Sequence, residues 1–572
     1  MNMKKVLYVP LDDRPVNLDD VIVQGRSAGI EVITPCLEDI KNRMDSQKTD
    51  SDNTLLSTSS PTFGNTTNIR KFILDHAAEV DGFIISADML AYGGLIGSRR
   101  LRTHGGSAYP DYDPATTHLL DTIRQVKKAH PRKPMYVLDT IMRLATTTYV
   151  ENVFQNAYDE SRSFMKQPRK SVDELSEILE GYDTKPDGTL YEETVTFNKE
   201  HYYDARRHKF KSNVYILDRL AQFDYIDFLA IGVDDSSTQG VQANEIDYVE
   251  GMITESFGGE NGQSPERAII LPDADGLGHS LMARMAQELL RIEEKPKYSV
   301  LYFGRDGSTI INPYEYMSVH QNIQHHVDII GGQLVEDSPE VKVDVEIIAI
   351  TDKDEVPNAV SRIEVNGLNQ MPTVVIDFVG GGAANAVVTE ALLESSYTGQ
   401  ILGYSGWNTA GNKIGIALGM AQARYAFLIT EKKAPALNKA VDAHGSLLFK
   451  RFLKDYYYKT LTIGEIRQYS RANALYTNIP YADGNFLLFN SESDYAHVVT
   501  LLRERMQTHT NTLAAKNAFQ ISQCTSSHNI RQIKKAKWSY AEYESAALSY
   551  ENPSYIWDRA FEITLNPKVT LS

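Results

Sequence analysis

Apolar runs of strand length, each ended abruptly by a polar loop and followed by a helical stretch, recur nine or ten times before about residue 430. Ile226 to Val233 is the clearest: eight residues broken only by Asp227, then Asp234-Asp235-Ser236-Ser237-Thr238 and Gly240. A nearly continuous apolar run suits a strand buried on both faces of a parallel sheet, and strand-helix alternation without a long antiparallel meander implies right-handed parallel crossovers. The same grammar is read at Lys5–Leu11, Glu31–Pro35, Gly82–Ser86, Met135–Leu138, Arg267–Leu271, Ser299–Phe303, Val345–Ile350, Thr373–Phe378 and Gln400–Tyr404. The expected fold is α/β: eight units closing as a parallel (β/α) barrel-like core with accessory strands, or else two doubly wound domains in series. Residues 1–430 form the expected catalytic (β/α) domain, with a helical insertion at about 150–211. Residues 431–572 are expected to be a mainly helical C-terminal region with a final short strand near Phe561–Leu565. Asp45 to Asn68, rich in Ser, Thr, Asp and Asn, reads as a surface loop.

In parallel α/β folds ligand chemistry gathers at the carboxyl ends of strands. Here those ends carry Asp12 and Asp13, Asp88, Asp139, Asp234 and Asp235, Asp273 and Asp275, and Asp306. One aspartate at a strand end can be no more than a helix cap. Several on one side of a sheet make a negative cleft, whose mutual repulsion raises some pKa values and suits a carboxylic acid for proton donation. Arg14, Arg99 and Arg143 follow strand ends and can pair these acids or an anionic substrate group. Trp407 and Asn408, beside glycines, stand where an aromatic wall for a sugar face would lie, although a tryptophan is as readily core. Tyr92, with Tyr8 and Tyr404, can join it or simply pack.

Asp273, Asp275 and His279 suggest a hard divalent cation, but their spacing matches no ligand motif, and the expectation is no metal and no cofactor. The glycines of Gly380–Asn385 and Gly403–Asn412 fit neither G-x-G-x-x-G nor the P-loop. A nucleophile triad finds no support, and neither Cys36 nor Cys524 has an activating context. Two cysteines build no disulfide framework. The balance of 58 basic against 75 acidic residues, a net charge of −17, argues against nucleic acid or an anionic membrane as partner. Without a signal-like N-terminus or a long apolar run, a cytoplasmic protein acting on a small carbohydrate is expected, with self-association left open.

Val9-Pro10-Leu11-Asp12-Asp13-Arg14-Pro15-Val16-Asn17, Asp88–Leu95, Ser98-Arg99, Thr140–Arg143, Asp234-Asp235 and Gly406–Asn412 together resemble a bacterial family catalogued as a domain of unknown function. Trp557-Asp558-Arg559 and Phe561-Glu562 extend the resemblance to the end of the chain. That family supplies no activity. The adjacent aspartates are also similar to the catalytic pair of O-GlcNAcase and the bacterial hyaluronidase-related β-N-acetylhexosaminidases. That similarity implies that Asp234 orients a substrate acetamido group and Asp235 is the general acid of a glycoside hydrolase working by substrate assistance. The alternatives are a metal-dependent hydrolase or isomerase using Asp273, Asp275 and His279, and a non-catalytic sugar-binding protein.

Overall fold

Alternate residues of the first strand, β1 (Lys4–Val9), point into different cores: Leu7 and Val9 into one, Val6 and Tyr8 into another. A strand buried on both faces needs apolar side chains at both parities. A computed structural model describes residues 3–44, 61–100, 112–148, 155–430, 434–473, 484–487, 489, 491–521, 530–534 and 537–572. Most of the expected Asp45–Asn68 loop, the start of the expected insertion and Cys524 therefore lie outside the described residues.

The first sheet contains β1, β2 (Ile30–Ile33), β3 (Gly82–Ser86), β4 (Met135–Ile141), β5 (Phe228–Val233), β6 (Gln263–Ser264) and β7 (Ala268–Leu271). Its order is β2-β1-β3-β4-β5-β7-β6, parallel throughout except for β6. The second contains β8 (Lys297–Phe303), β9 (Gln333–Leu334), β10 (Val345–Ile350), β11 (Thr373–Asp377) and β12 (Gly403–Ser405), all parallel in the order β12-β11-β10-β8-β9. Read from its first strand, the second sheet repeats the arrangement 2-1-3-4-5 of the first, a doubly wound order in which the direction of winding reverses beside the first strand. The barrel expectation is thereby corrected: β1 to β12 lie in two open sheets, with β2 and β6, and β12 and β9, as edges.

Each sheet is covered on both faces. Helices Thr66–His76, Thr122–Ala129 and Val241–Phe257 contribute to the core on one side of the first sheet, and Leu277–Leu289 to the core on the other. Helix Ala410–Leu428 joins the two halves. Ile414, Ala417, Leu418 and Ala421 pack in a core of the second sheet, whereas Ala423 and Ala426 pack in a core of the first. Every residue of this helix but Tyr425 is buried, as expected of a helix with no polar face. Gly411, Gly415 and Gly419, four apart and so on one face, let it lie against the loop before helix Leu277–Leu289 and against that helix itself. A Cβ at Gly411 would stand 1.9 Å from the Pro272 carbonyl oxygen, and one at Gly415 3.0 Å from Cα of Gly276.

Residues 155–221 carry helices at Gln155–Met165, Leu175–Gly181 and Lys199–Tyr215, with a wide-turn continuation over Ile216–Ala221 and irregular connections between them. Helices Ala434–Phe452, Ile463–Asn473 and Glu492–Ala514, with a π-helical stretch Leu453–Thr462, follow the second sheet. Where one short strand was expected, the chain ends in three antiparallel pairs: β13 (Ile530–Lys534) with β14 (Lys537–Ala541), β15 (Tyr543–Ala547) with β18 (Lys568–Leu571), and β16 (Ser554–Ile556) with β17 (Arg559–Thr564). No described helix is long and apolar enough to cross a membrane.

Candidate active site

Loops at the carboxyl ends of strands from both sheets converge on one cavity of about 710 Å³, completed by residues of β17 and the turn before it. Immediately after β5, Asp234 N–H donates to the Ile141 carbonyl at 3.2 Å, tying the loop to the end of β4. Asp235 then takes a left-handed φ of 42°, a turn that a short polar side chain tolerates better than most. Both aspartates line the cavity, and each is held by its own arginine. Arg99 donates to Asp234, while Arg143 Nη1 reaches Asp235 Oδ2 at 3.4 Å. Arg143 is itself fixed by the carbonyls of Ala145 and Thr146, and its own carbonyl accepts from Tyr202 and Arg206 of helix Lys199–Tyr215. Burial pushes the Asp234 carboxyl up and Arg99 pulls it down; the balance leaves it at about 6. An acid so placed can exchange a proton near neutral pH.

Arg14 is clamped between two carboxylates. Its Nε and Nη2 donate to Asp12 at 3.0 and 2.8 Å, and its Nη2 and Nη1 to Asp275 at 2.5 and 3.2 Å. Asn17 bridges the same two acids. The Trp557 ring lies over the Arg14 guanidinium, with 5.3 Å from Cζ to the ring centre, and the indole N–H donates to Asp13 Oδ1 at 2.9 Å. Burial and the neighbouring Asp12 raise the Asp13 carboxyl to about 7 against the pull of that hydrogen bond.

From the second sheet come Glu315, the glycines after β11 and the start of helix Ala410–Leu428. Glu315 accepts from Gly411 N–H at 2.8 Å, and burial pushes its carboxyl well above the ordinary range. The Asn412 side chain accepts from the backbone of Ala274 and Asp275, joining the loops after β12 and β7. Asp377 accepts from Val379, Gly380 and Asn385 N–H, shaping the glycine loop, and Lys413 donates to the Asp377 and Gly380 carbonyls. Burial lowers the Lys413 ammonium to about 8.

Of the residues expected at the site, Arg14, Arg99, Arg143, Asp234, Asp235, Asp273, Asp275 and Asn408 line the cavity. The others do not, each for a visible reason. Asp12 is fully buried beneath Arg14, and Asp13 faces Trp557. Asp88 and Asp139 flank the buried Lys209 ammonium at 3.1 and 2.6 Å, which makes them a structural charge cluster. Tyr92 packs by it and meets His208. Trp407 is fully buried under Lys454 and Phe561, so it is a core residue and not the sugar-facing wall. His279 bonds Gln24 and the Val16 carbonyl, is lowered to about 4 by burial, and does not line the cavity. The expected alternative of a metal held by Asp273, Asp275 and His279 is corrected accordingly. Asp273 instead meets His326 Nε2 at 3.1 Å and accepts from the N–H groups of Ala274 and Gly276. Among the described residues no three His, Cys, Asp or Glu side chains converge as a metal centre.

Tyr158, Tyr314, Glu315, Lys413, Trp557, Arg559 and Glu562 also line the cavity and were missing from the expected site. Tyr158, Tyr314 and Glu315 sit in helices and loops without a local sequence signal. The motif at Trp557–Glu562 was visible as part of the resemblance, but it lies in a segment assigned to a helical appendage. A family model with the description "Protein of unknown function (DUF4127)" matches residues 6–566. No curated protein and no solved structure matches the chain.

Proposed function

The chain belongs to the DUF4127 family, whose description assigns no activity, and from the cavity we propose that it is a glycoside hydrolase cleaving a small amino-sugar glycoside by substrate assistance. The observation that carries this reading is the adjacent pair Asp234 and Asp235 on one cavity wall, with Asp234 raised to about 6. Tyr158, Tyr314, Phe486 and Trp557 line the cavity together with charged and amide residues, a mixture suited to a ring with apolar faces and a polar edge. The roles differ from those implied by the similarity to O-GlcNAcase. Asp234 is the proton donor, because burial keeps its proton available. Asp235, less buried and paired with Arg143, accepts the acetamido N–H.

In the first step the acetamido carbonyl oxygen bonds to the anomeric carbon as the glycosidic C–O bond breaks, and the Asp234 proton passes to the departing oxygen. Water then adds to the anomeric carbon, returns its proton to Asp234 and releases the acetamide. A panel of nitrophenyl and alkyl N-acetylamino-glycosides tests this. Asp234→Asn is expected to lose about 10²–10⁴-fold on alkyl glycosides and far less on nitrophenyl ones, whose leaving group needs little protonation. Asp235→Asn is expected to be slow on both. Equal activity of either variant and the native chain, or hydrolysis of none of the panel, overturns the reading.

A further inference from the structure

β16 and β17 are joined by only two residues, Trp557 with φ 58° and Asp558 with φ 50°. Two consecutive left-handed residues form the tight turn that matches the twist of a hairpin and normally takes asparagine and glycine. A bulky tryptophan there is strained, and strain of this kind persists only when surrounding contacts over-determine it. The contacts are present. The indole N–H is held by Asp13, the ring rests over Arg14, the Asp558 carbonyl accepts from Leu487 N–H at 2.9 Å, and its side chain accepts from Tyr495 at 3.2 Å. The half-buried indole is thereby fixed in the cavity wall.

Four residues after Asp558, Glu562 reaches the same cavity with a side chain only 3 % exposed. One of its oxygens accepts from Lys454, whereas Oε2 is buried and has no hydrogen-bond partner among the described residues. A buried acceptor left unpaired is costly, and a ligand donor would satisfy it. We propose that Trp557 and Glu562 form a sugar-ring subsite, in which the apolar face of a pyranose stacks on the indole and a ring hydroxyl donates to Glu562 Oε2. The inference rests on the carbohydrate reading above and narrows it. Because Arg14 is already paired with Asp12 and Asp275, and Lys454 with Glu562, this end of the cavity takes a neutral or aminated sugar in preference to one carrying phosphate or carboxylate.

Binding to the full chain tests it, read by tryptophan emission and by calorimetry against N-acetylated and free amino monosaccharides, their phosphorylated forms and a set of monodeoxy analogues. A neutral sugar is expected to change the emission, and its phosphorylated form to bind at least tenfold more weakly. Trp557→Phe should abolish the emission change and weaken binding about tenfold, while Glu562 and Lys454 stay paired. Glu562→Gln should weaken every analogue except the one lacking the hydroxyl that Glu562 holds, with thermal melting of both variants as the control for folding. No emission change with any sugar, equal binding of the phosphorylated form, or unaltered binding by Trp557→Phe overturns the subsite. Binding without turnover of any glycoside would sink the hydrolase reading and leave the subsite standing; turnover indifferent to both substitutions would do the reverse.

Discussion

Asp234 is held between burial, which favours its acid form, and Arg99, which favours its carboxylate. A group that must be protonated to donate works below its pKa, so kcat/KM is expected to fall as pH rises through about 6. Replacing Arg99 by glutamine removes the downward pull and should move that descending limb to higher pH, whatever it does to the maximum. An unmoved limb in a pH–rate profile would mean that Asp234 is not the titrating donor. Asp13 supplies a separate test through stability. Its folded pKa of about 7 lies above the ordinary carboxylate range, so the folded state binds the extra proton and stability declines as pH rises between the two values. The slope is at most about 1.4 kcal/mol per pH unit. Asp13→Asn keeps an acceptor for Trp557 and should flatten that decline in urea melts compared at about pH 5 and about pH 8.

At the scale of elements, the decisive contact is helix Ala410–Leu428 against helix Leu277–Leu289 and the loop before it, because it sets the Asp273–Asp275 loop against Asn412. Gly411→Ala would drive a methyl into the Pro272 carbonyl, and overpacking of this kind costs about 1–3 kcal/mol. A lowered melting temperature together with lost activity is expected. Gly381→Ala, where an added Cβ meets nothing within 4 Å, is the matched control and should stay within about 0.5 kcal/mol. The π-helical stretch Leu453–Thr462 acts on the same wall. Asp455 accepts from Gly406 N–H at 3.0 Å and its carbonyl from Ala384 N–H at 3.0 Å, so the loops after β11 and β12 are braced by one wide helical turn, a form common near functional sites.

Across the whole molecule the carboxyl edges of two sheets share one cavity, and the C-terminal segment both closes it and binds back to the first sheet's helices. Lys450 and Arg451 converge on the fully buried Asp20. Burial alone would raise the Asp20 carboxyl, but these cations hold it at about 2. Because the folded pKa lies below the unfolded one, this contribution is present above the ordinary carboxylate range and is lost as pH falls towards about 2. Asp20→Asn takes the shared carboxylate from two buried cations, leaving Arg451 with Asp455 and Lys450 with the Asn566 side chain, and a cost of up to about 3–5 kcal/mol is expected. Chemical denaturation at neutral pH measures it, and a cost below about 1 kcal/mol would show that the tie is not needed to hold the halves together.

Local pattern was enough to show the α/β class, the run Phe228–Val233 as a buried strand, and Asp234, Asp235, Arg14, Asp275 and Asn408 at converging strand ends, because burial on both faces and polar loops leave their mark residue by residue. The choice between a barrel and two sheets left no such mark, since strands in either are covered on both faces and read alike; it was made by pairings distant in sequence, such as β1 with β3 and β8 with β10. The fate of each acid was likewise decided in three dimensions. Asp139 became structural because Lys209, 70 residues further on, buries its ammonium against it, and Trp557 rather than Trp407 reached the cavity because β17 pairs with β16 through a two-residue turn. Composition and spacing carry information about what a residue's neighbours in sequence do. Which charge meets which across a folded interior depends on the packing of elements that the local sequence does not see.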